Sequence, residues 1–160
     1  MDEVTLAKAT IRRSMRDWRR SLSDDELANR SKRIIGHLLE RSDVMAATTV
    51  MGFSAVRGEP DLGPLAAFIR GSGHRWVVPE DDPEPTDVDL VIVPGVSFTA
   101  NGDRLGQGGG WYDRFLPQRR AGVMTIGVCF AEQISAALPT ERHDVRVDDV
   151  VVDDDAQVSS

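Results

Sequence analysis

The chain has 160 residues, of which 41% are hydrophobic and 28% are charged; this composition excludes a disordered or fibrous protein and favours one globular domain. The formal net charge of −7 argues against nucleic acid as the main partner, because binding to a phosphate backbone needs a basic surface. The sequence has no run of about 20 apolar residues and no basic start leading into an apolar stretch, so we expect a soluble, cytoplasmic protein without a membrane partner.

The first 41 residues predict two helices. Between Val4 and Leu22 the apolar residues recur at spacings of three and four, which is typical of an amphipathic helix. A capping box formed by Ser23 and Glu26 predicts the start of a second helix, which ends near Arg41. Three basic residues of the first helix lie within about 40° of one another, namely Lys8, Arg12 and Arg19.

The charge is divided unevenly between this segment and the remainder. Residues 1–41 carry ten Lys and Arg against seven Asp and Glu, a balance of +3, which leaves −10 on residues 42–160. The opening segment is therefore a basic element on an acidic protein.

The remainder alternates short apolar runs with helical patterns. This order predicts an α/β fold in which a mostly parallel sheet is flanked by helices in a Rossmann-like three-layer arrangement, as a single domain over residues 1–160. An acidic, proline-rich loop is predicted at Pro79–Asp87, and a frayed polar tail at Asp153–Ser160. Strands are predicted at Ala47–Phe53, Arg75–Val78, Val88–Val93, Val123–Val128 and Val145–Val152, and helices at Leu62–Arg70, Tyr112–Leu116 and Ala131–Leu138.

The cysteine and the histidines are interpreted as structural. Cys129 is the only cysteine, so an internal disulfide and a cysteine-rich zinc site are excluded, and its apolar neighbours predict that it is buried. His37 and His74 have no partner at a metal-ligand spacing, and His143 is interpreted as a surface residue.

The most informative segment is a glycine-rich loop between a predicted strand and a predicted helix. Five of the nine residues from Gly102 to Gly110 are glycine. Such a loop can turn backbone N–H groups toward an anion. It matches neither the Walker A motif nor the dinucleotide fingerprint, and glycines that serve only tight turns remain an alternative. Arg104 and Asp113 favour a phosphate site, because phosphoryl transfer needs a cation on the phosphate oxygens and a ligand for magnesium.

The same segment resembles a known signature. The matching residues run from Val93-Pro94-Gly95 to Arg104-Leu105-Gly106 and then from Gly108 to Asp113. Together they resemble the motif of the 5-formyltetrahydrofolate cyclo-ligase family, also called methenyltetrahydrofolate synthetase. The likeness spans nearly the whole chain. Further matching positions are Lys8 and Arg12, Gly58-Glu59, Ile126-Gly127, Glu132-Gln133, Leu138-Pro139 and His143-Asp144.

The resemblance implies an ATP- and magnesium-dependent enzyme of one-carbon metabolism. In that family, ATP phosphorylates the formyl oxygen of 5-formyltetrahydrofolate, and a folate nitrogen attacks the activated carbon. Phosphate leaves as 5,10-methenyltetrahydrofolate forms, and ADP is the other product. The expected partners are therefore the small molecules ATP and a reduced folate, with the protein a monomer or a weak homodimer.

The resemblance also assigns residues to this chemistry. Arg104 and Tyr112 are expected to be catalytic, Ser54 and Glu59 to bind the folate, and Asp113 and Asp144 to bind Mg²⁺. Carboxylates together with ATP phosphates are ligands that this hard cation prefers. The expected ATP-binding residues are Lys8, Arg12, Arg104, Gly106, Gln107, Gly108, Gly109, Gly110, Trp111, Tyr112 and Asp113.

Other interpretations remain open at this point. Lys8 and Arg12 could form only a solvated helix face, Glu59 could be an ordinary turn residue, and Asp144 could flank a strand. The connection at Glu80–Val88 is shorter than is usual in the family and shortens the expected pocket wall, so a nucleotide- or folate-binding module without turnover is an alternative. A protein that contacts RNA through its basic first helix is a third.

Overall fold

The computed structural model describes residues 2–56 and 58–154. Its main feature is a five-stranded sheet in the order β2-β1-β3-β6-β7, in which every pair of neighbours is parallel. The strands are β1 (Thr49–Met51), β2 (Arg75–Val77), β3 (Leu90–Val93), β6 (Met124–Val128) and β7 (Asp149–Val151), and a two-stranded antiparallel sheet joins β4 (Ser97–Phe98) to β5 (Arg104–Leu105). The predicted α/β fold with a mostly parallel sheet is confirmed.

Apart from α3, which was not predicted, the helices of the described residues begin and end close to the predicted residues. They are α1 (Glu3–Arg20), α2 (Asp24–Leu39), α3 (Ser42–Ala46), α4 (Gly63–Gly71) and α5 (Trp111–Phe115). The Asp2 side chain caps α1 by accepting from the Thr5 N–H, and the Ser23 hydroxyl caps α2 by accepting from the Glu26 N–H. None of the described helices is long and apolar enough to span a membrane; the cytoplasmic location stays a prediction.

The sheet separates two apolar layers because successive side chains of a strand point to opposite faces. On β3, Leu90 and Ile92 face a core that contains the buried residues of α2 and α4, whereas Val91 and Val93 face a second core that contains Tyr112 and Phe115 of α5. Cys129 is fully buried in this second core, as predicted. The burial of both sheet faces explains why the strands read as continuous apolar runs.

The strand order positions the functional site. The five parallel strands follow the doubly wound order 2-1-3-4-5 when they are counted along the chain, and the order reverses between β1 and β3. In such sheets ligands bind beyond the carboxyl ends of the strands at this reversal. The loop after β1 carries Glu59, and the loop after β3 carries Pro94 and Gly95.

The structure corrects the predicted helix at Ala131–Leu138. Only a short 3₁₀ turn forms, at Ala131–Gln133, because the following backbone pairs with β4 instead. The Ser135 N–H donates to the Phe98 carbonyl, and Phe98 also forms a bridge with Ile134. A backbone N–H group used in this way is not available to an α-helix.

The end of the chain also differs from the prediction. The last strand is limited to Asp149–Val151, because the N–H groups of Val145 and Val147 donate to the Asp113 carboxylate and the Gly102 carbonyl. Asp153 is not part of a frayed tail: it is 3% exposed, and its carboxylate accepts from Arg30 and from the Ala131 N–H. Residues 155–160 of the predicted tail lie outside the described residues.

Candidate active site

A cavity of about 380 Å³ lies at the carboxyl ends of β1 and β3, between α1 and the glycine-rich loop. It brings together residues that are far apart in the sequence: Lys8 and Asp144, which contact each other, are separated by 136 positions. The walls contain Lys8, Arg12, Glu59, Arg104, the whole segment 106–113 and Asp144. All the predicted ATP-binding and metal-binding residues therefore line one cavity.

The glycine-rich loop has the backbone expected of an anion cradle. Gly108 and Gly110 have φ values of +117° and +70°, a region that residues with a Cβ rarely adopt. Among the described residues, none of the N–H groups from 106 to 110 donates a hydrogen bond within the protein. Because α5 has only five residues, the cradle depends on these loop N–H groups more than on a helix dipole.

Arg104 is held at the base of the cavity by β5. Its Nε donates to the Pro94 carbonyl at 2.7 Å, and its guanidinium carbon lies 5.0 Å from the centre of the Tyr112 ring. Burial lowers the pKa of Arg104, and the nearby Asp113 opposes that shift; an arginine nevertheless stays charged in proteins. The site thus holds a fixed cation in a half-buried position.

Two basic residues of α1 approach the loop and the C-terminal turn. The Arg12 Nε donates to the Gly106 carbonyl at 2.8 Å. The Lys8 ammonium donates to Glu141 at 2.9 Å and to Asp144 at 2.7 Å. Burial by itself would lower the pKa of Lys8, but these two carboxylates outweigh it and raise that pKa. Lys8 and Arg12 are therefore not a solvated helix face.

The aromatic residues form a packed edge to the cavity. The Trp111 ring stacks on Phe115 with the centroids 4.7 Å apart and meets Tyr112 edge-on at 4.9 Å. Tyr112 is buried, and this burial raises the pKa of its hydroxyl well above the usual range. The Tyr112 hydroxyl is consequently a neutral hydrogen-bond donor rather than a base at neutral pH.

The two predicted folate-binding residues are placed differently. Glu59 is 4% exposed and lines the cavity; its carboxylate accepts from the Val56 N–H at 2.8 Å. Burial raises the pKa of Glu59, although that hydrogen bond and the charge of Arg19 oppose the shift. Ser54 is exposed and does not line the cavity, so it stays a prediction.

The acidic residues of the cavity fit a hard cation. The Asp113 Oδ1 accepts from the Val145 N–H, and among the described residues its other carboxylate oxygen accepts no hydrogen bond. Ligand atoms of Glu141, His143 and Asp144 all lie within 4.8 Å of one another. Burial would raise the pKa of Asp144, but Lys8 and the Glu141 N–H outweigh it and lower that pKa, which keeps the carboxylate charged as a metal ligand must be.

Sequence reasoning did not assign three residues of this region to the site. Glu141 lines the cavity and pairs with Lys8, yet it lies in an acidic segment where no spacing marks it. Gln133 is fully buried, and its amide donates to the Val96 carbonyl at 2.9 Å and is 3.4 Å from that of Gly95. Arg19 donates to the same Gly95 carbonyl at 3.0 Å. Burial of such polar residues is not visible in a sequence pattern.

Comparisons with known proteins agree with the fold and the motif. The chain is 37% identical over 71 residues to a mouse 5-formyltetrahydrofolate cyclo-ligase, a match that covers 42% of the chain and 35% of the mouse protein. The match to a Saccharomyces cerevisiae relative with the same name covers 39% of that protein, so the matched part spans less than half of these relatives. An Escherichia coli 5-formyltetrahydrofolate cyclo-ligase is 25% identical over 173 residues, covering 86% of the chain and 95% of the relative.

Two solved structures share the fold. The 5,10-methenyltetrahydrofolate synthetase of Aquifex aeolicus has a TM-score of 0.82 at 25% identity, covering 94% of this chain and 92% of that one. The synthetase of Mycoplasma pneumoniae has a TM-score of 0.81 at 23% identity, covering 92% and 99%. The sequence model of the 5-formyltetrahydrofolate cyclo-ligase family matches residues 74–153, which is half of the chain. Because this half contains the glycine-rich loop and Asp144, the chain belongs to the 5-formyltetrahydrofolate cyclo-ligase family.

Proposed function

We propose that this protein converts 5-formyltetrahydrofolate to 5,10-methenyltetrahydrofolate with the use of ATP and Mg²⁺, releasing ADP and phosphate. The observation that carries the proposal is the single cavity in which the phosphate cradle, three cations and a buried carboxylate meet. Family membership supports the same reaction.

The cradle and the cations would bind the phosphates of ATP. The loop N–H groups from 106 to 110 supply donors, while Lys8, Arg12 and Arg104 supply positive charge near the cavity. Arg104 would neutralise charge on the transferred phosphoryl group, because the contacts with Pro94 and Tyr112 hold its guanidinium in place before substrate binds. The Tyr112 hydroxyl would act as a neutral donor.

Asp113 and Asp144 would hold Mg²⁺. When bound, the ion would neutralise the phosphate oxygens of ATP during transfer. Asp144 already faces the Lys8 ammonium at 2.7 Å, so the same carboxylate group would serve both Lys8 and the ion. Lys8 thereby orients Asp144 and limits the negative charge at this wall.

Glu59, which lines the same cavity, would bind the folate. A buried carboxylate can accept two N–H groups from the planar pterin ring. With the ring held there, the formyl oxygen would face the cradle. Transfer of the phosphoryl group makes that oxygen a good leaving group, and attack by the neighbouring folate nitrogen then expels phosphate. We keep Ser54 as a proposed folate contact outside the cavity.

The direct test mixes the purified protein with 5-formyltetrahydrofolate and Mg²⁺, with and without ATP, and follows the near-ultraviolet absorbance of the methenyl product. We expect an increase in absorbance that requires ATP. ATP-induced thermal stabilisation without an increase in absorbance would show a nucleotide-binding protein without turnover, and would contradict the proposed reaction.

A further inference from the structure

The loop after β3 holds the side chain of Arg104 in the candidate active site. The Pro94 carbonyl accepts from the Arg104 Nε at 2.7 Å. Two residues further on, the Val96 carbonyl accepts from the side-chain amide of Gln133 at 2.9 Å. The Val96 N–H donates to the Leu105 carbonyl, also at 2.7 Å. The loop is therefore hydrogen-bonded both to Gln133 and to β5, the strand that carries Arg104.

The polar groups of Gln133 are all used in this arrangement. Its side chain is fully buried, and its Oε1 accepts from the Phe130 N–H at 2.9 Å. Its Nε2 donates to Val96 and lies 3.4 Å from the Gly95 carbonyl oxygen. Its backbone N–H donates to the Phe130 carbonyl, and its backbone carbonyl accepts from the Ser97 hydroxyl. A primary amide both accepts and donates, so neither a charged carboxylate nor an apolar side chain could make both side-chain contacts.

Gln133 acts on the site from outside the cavity. It does not line the cavity that contains Arg104 and the glycine-rich loop, so it is not a catalytic residue. The strand β4 begins directly after the loop that Gln133 holds, and Phe98 of β4 is paired in register with Arg104. A shift of this loop would therefore move both the acceptor of the Arg104 side chain, at Pro94, and the strand that pairs with the Arg104 backbone.

We propose that Gln133 is a positioning residue for the phosphoryl-transfer step, because it fixes the loop that holds the Arg104 guanidinium. The proposal rests on the proposed function. Without the amide, the Val96 carbonyl and the Phe130 N–H would be buried and unpaired, and the loop would shift to pair them. A displacement of about 1 Å at a catalytic group can cost about 100-fold in rate.

The test compares Gln133→Met with Thr125→Val as the control. Methionine has nearly the shape of glutamine but lacks both hydrogen-bonding groups of the amide. Thr125 is also fully buried, its hydroxyl bonds only to Asp148 among the described residues, and it does not line the cavity. Both variants lose a buried polar group, so both should melt at a lower temperature than the wild type. Only Gln133→Met should affect Arg104.

The first readout is the exchange with water of the Arg104 Nε–H proton. It is followed by NMR on isotope-labelled protein and is assigned by its loss in Arg104→Lys. We expect this exchange to be about tenfold faster in Gln133→Met than in the wild type, the factor that corresponds to one net hydrogen bond, and unchanged in Thr125→Val. An unchanged rate in Gln133→Met, or an equal increase in the control, would overturn the proposal.

The second readout is the ATP-dependent formation of the methenyl product. We expect Gln133→Met to lower kcat by about tenfold, with KM for ATP within about twofold of the wild type. In the Arg104→Lys background the same change should have little further effect, because residues that act through one another are not additive. An unchanged kcat, or an equally large effect in the Arg104→Lys background, would overturn the positioning role.

The two readouts separate this proposal from the proposed reaction. If the wild-type protein shows no turnover, the reaction is wrong, and the exchange of the Arg104 proton alone decides whether Gln133 positions that side chain.

A second variant covers the case in which Gln133→Met does not fold. Gln133→Asn keeps an amide for the Phe130 N–H but is one methylene shorter, so it cannot reach Val96 as well. We expect the same direction of change in both readouts. Failure of both variants to fold would assign Gln133 to the stability of the fold alone and would overturn the proposal.

Discussion

Arg104 connects several parts of the site through one side chain. It donates to the loop after β3, lies over Tyr112 and lines the cavity beside the glycine-rich loop. The Arg104→Ala variant should therefore lose a fixed cation that lines the cavity beside the cradle. We expect kcat/KM of the ATP-dependent reaction to fall at least about 100-fold, the usual effect of removing one fixed donor from a charged transition state.

The control for this variant is Arg142→Ala, which removes an exposed arginine from the neighbouring turn. The melting temperatures of the two variants should differ by only a few degrees. Arg104→Ala removes the hydrogen bond from Arg104 to the Pro94 carbonyl, and a hydrogen bond of this kind contributes about 1 kcal/mol to stability. An unchanged rate in Arg104→Ala would contradict its role as a phosphate ligand.

Two glycines make a matched pair for testing backbone conformation. Gly102 has a φ of +92°, and a Cβ there would lie 2.1 Å from the Val147 carbonyl oxygen. Gly36 lies within α2, with nothing within 4 Å of an added Cβ. We expect Gly102→Ala to lower the free energy of unfolding by about 3 kcal/mol and Gly36→Ala to raise it by about 0.5 to 1 kcal/mol, as measured by urea unfolding. Equal changes in the free energy of unfolding in the two variants would contradict the backbone conformation described for Gly102.

At the scale of elements, α1 is the part that completes the site. It brings Lys8 to the C-terminal turn, Arg12 to the glycine-rich loop and Arg19 to the loop after β3. The three contacts lie along one face of a helix of 18 residues. The cavity is therefore complete only when α1 is packed against these segments. The packing of α1 uses charged and polar contacts as well as apolar contacts.

The pairing of Lys8 with Asp144 can be measured by a double-mutant cycle. Both side chains are largely buried, at 9% and 12% exposure. We expect Lys8→Met and Asp144→Asn to show a coupling free energy of unfolding of about 1 to 2 kcal/mol at pH 7. A coupling near zero would show that the pair contributes nothing to docking.

The same coupling should depend on pH in a defined way. Because the folded pKa of Asp144 is lowered, its contribution is present above the ordinary aspartate pKa of 3.8 and is lost as the pH falls through the folded pKa. Because the folded pKa of Lys8 is raised, its contribution is present below 10.5 and is lost as the pH rises through the folded pKa. The coupling should thus be constant between these two limits.

Local patterns were sufficient for the helices and the buried strands but not for the parts that pair at long range. The spacing of apolar residues predicted α1 and α2, and the glycine-rich motif predicted the residues that line the cavity. The pattern at Ala131–Leu138 suited a helix, yet its backbone pairs with β4, and Gln133 is buried against the loop after β3. Neither contact has a local signature, because both partners are distant in sequence.

At the scale of the whole molecule, a polar network connects the segment after β7 to the loop after β3, which lies at the site. The Asp153 carboxylate accepts from Arg30 of α2 at 2.5 Å and from the Ala131 N–H at 2.8 Å. Residue 131 begins the turn that contains Gln133, whose amide donates to the Val96 carbonyl. The network therefore links α2, the end of β7 and the loop after β3.

Arg30 also connects this network to the apolar core. Its guanidinium carbon lies 5.0 Å from the centre of the Phe130 ring and 5.6 Å from that of Trp18, and it makes an ion pair with Glu132. A cation between two aromatic rings and two carboxylates is largely withdrawn from water. Loss of Asp153 would leave this cation with only a partly exposed partner.

The Asp153→Asn variant tests this network. Burial would raise the pKa of Asp153, but Arg30 and the Ala131 N–H outweigh it and lower that pKa. The charged form therefore stabilises the fold above the ordinary aspartate pKa of 3.8, and this stabilisation is lost as the pH falls through the folded pKa. We expect Asp153→Asn to lower the free energy of unfolding by about 2 to 4 kcal/mol at pH 7, somewhat less than for a fully buried ion pair.

Urea unfolding measured from pH 7 down to about pH 2 provides the check. Asp154→Asn is the control, because the Asp154 side chain is exposed and makes no hydrogen bond or ion pair with the described residues. The difference in the free energy of unfolding between the wild type and Asp153→Asn should be constant above the ordinary aspartate pKa of 3.8 and should shrink below it, as the wild-type carboxylate is protonated. A difference that persisted unchanged at the lowest pH would assign the loss to packing of the altered side chain, and the ion pair would then not be what holds the segment after β7 against α2.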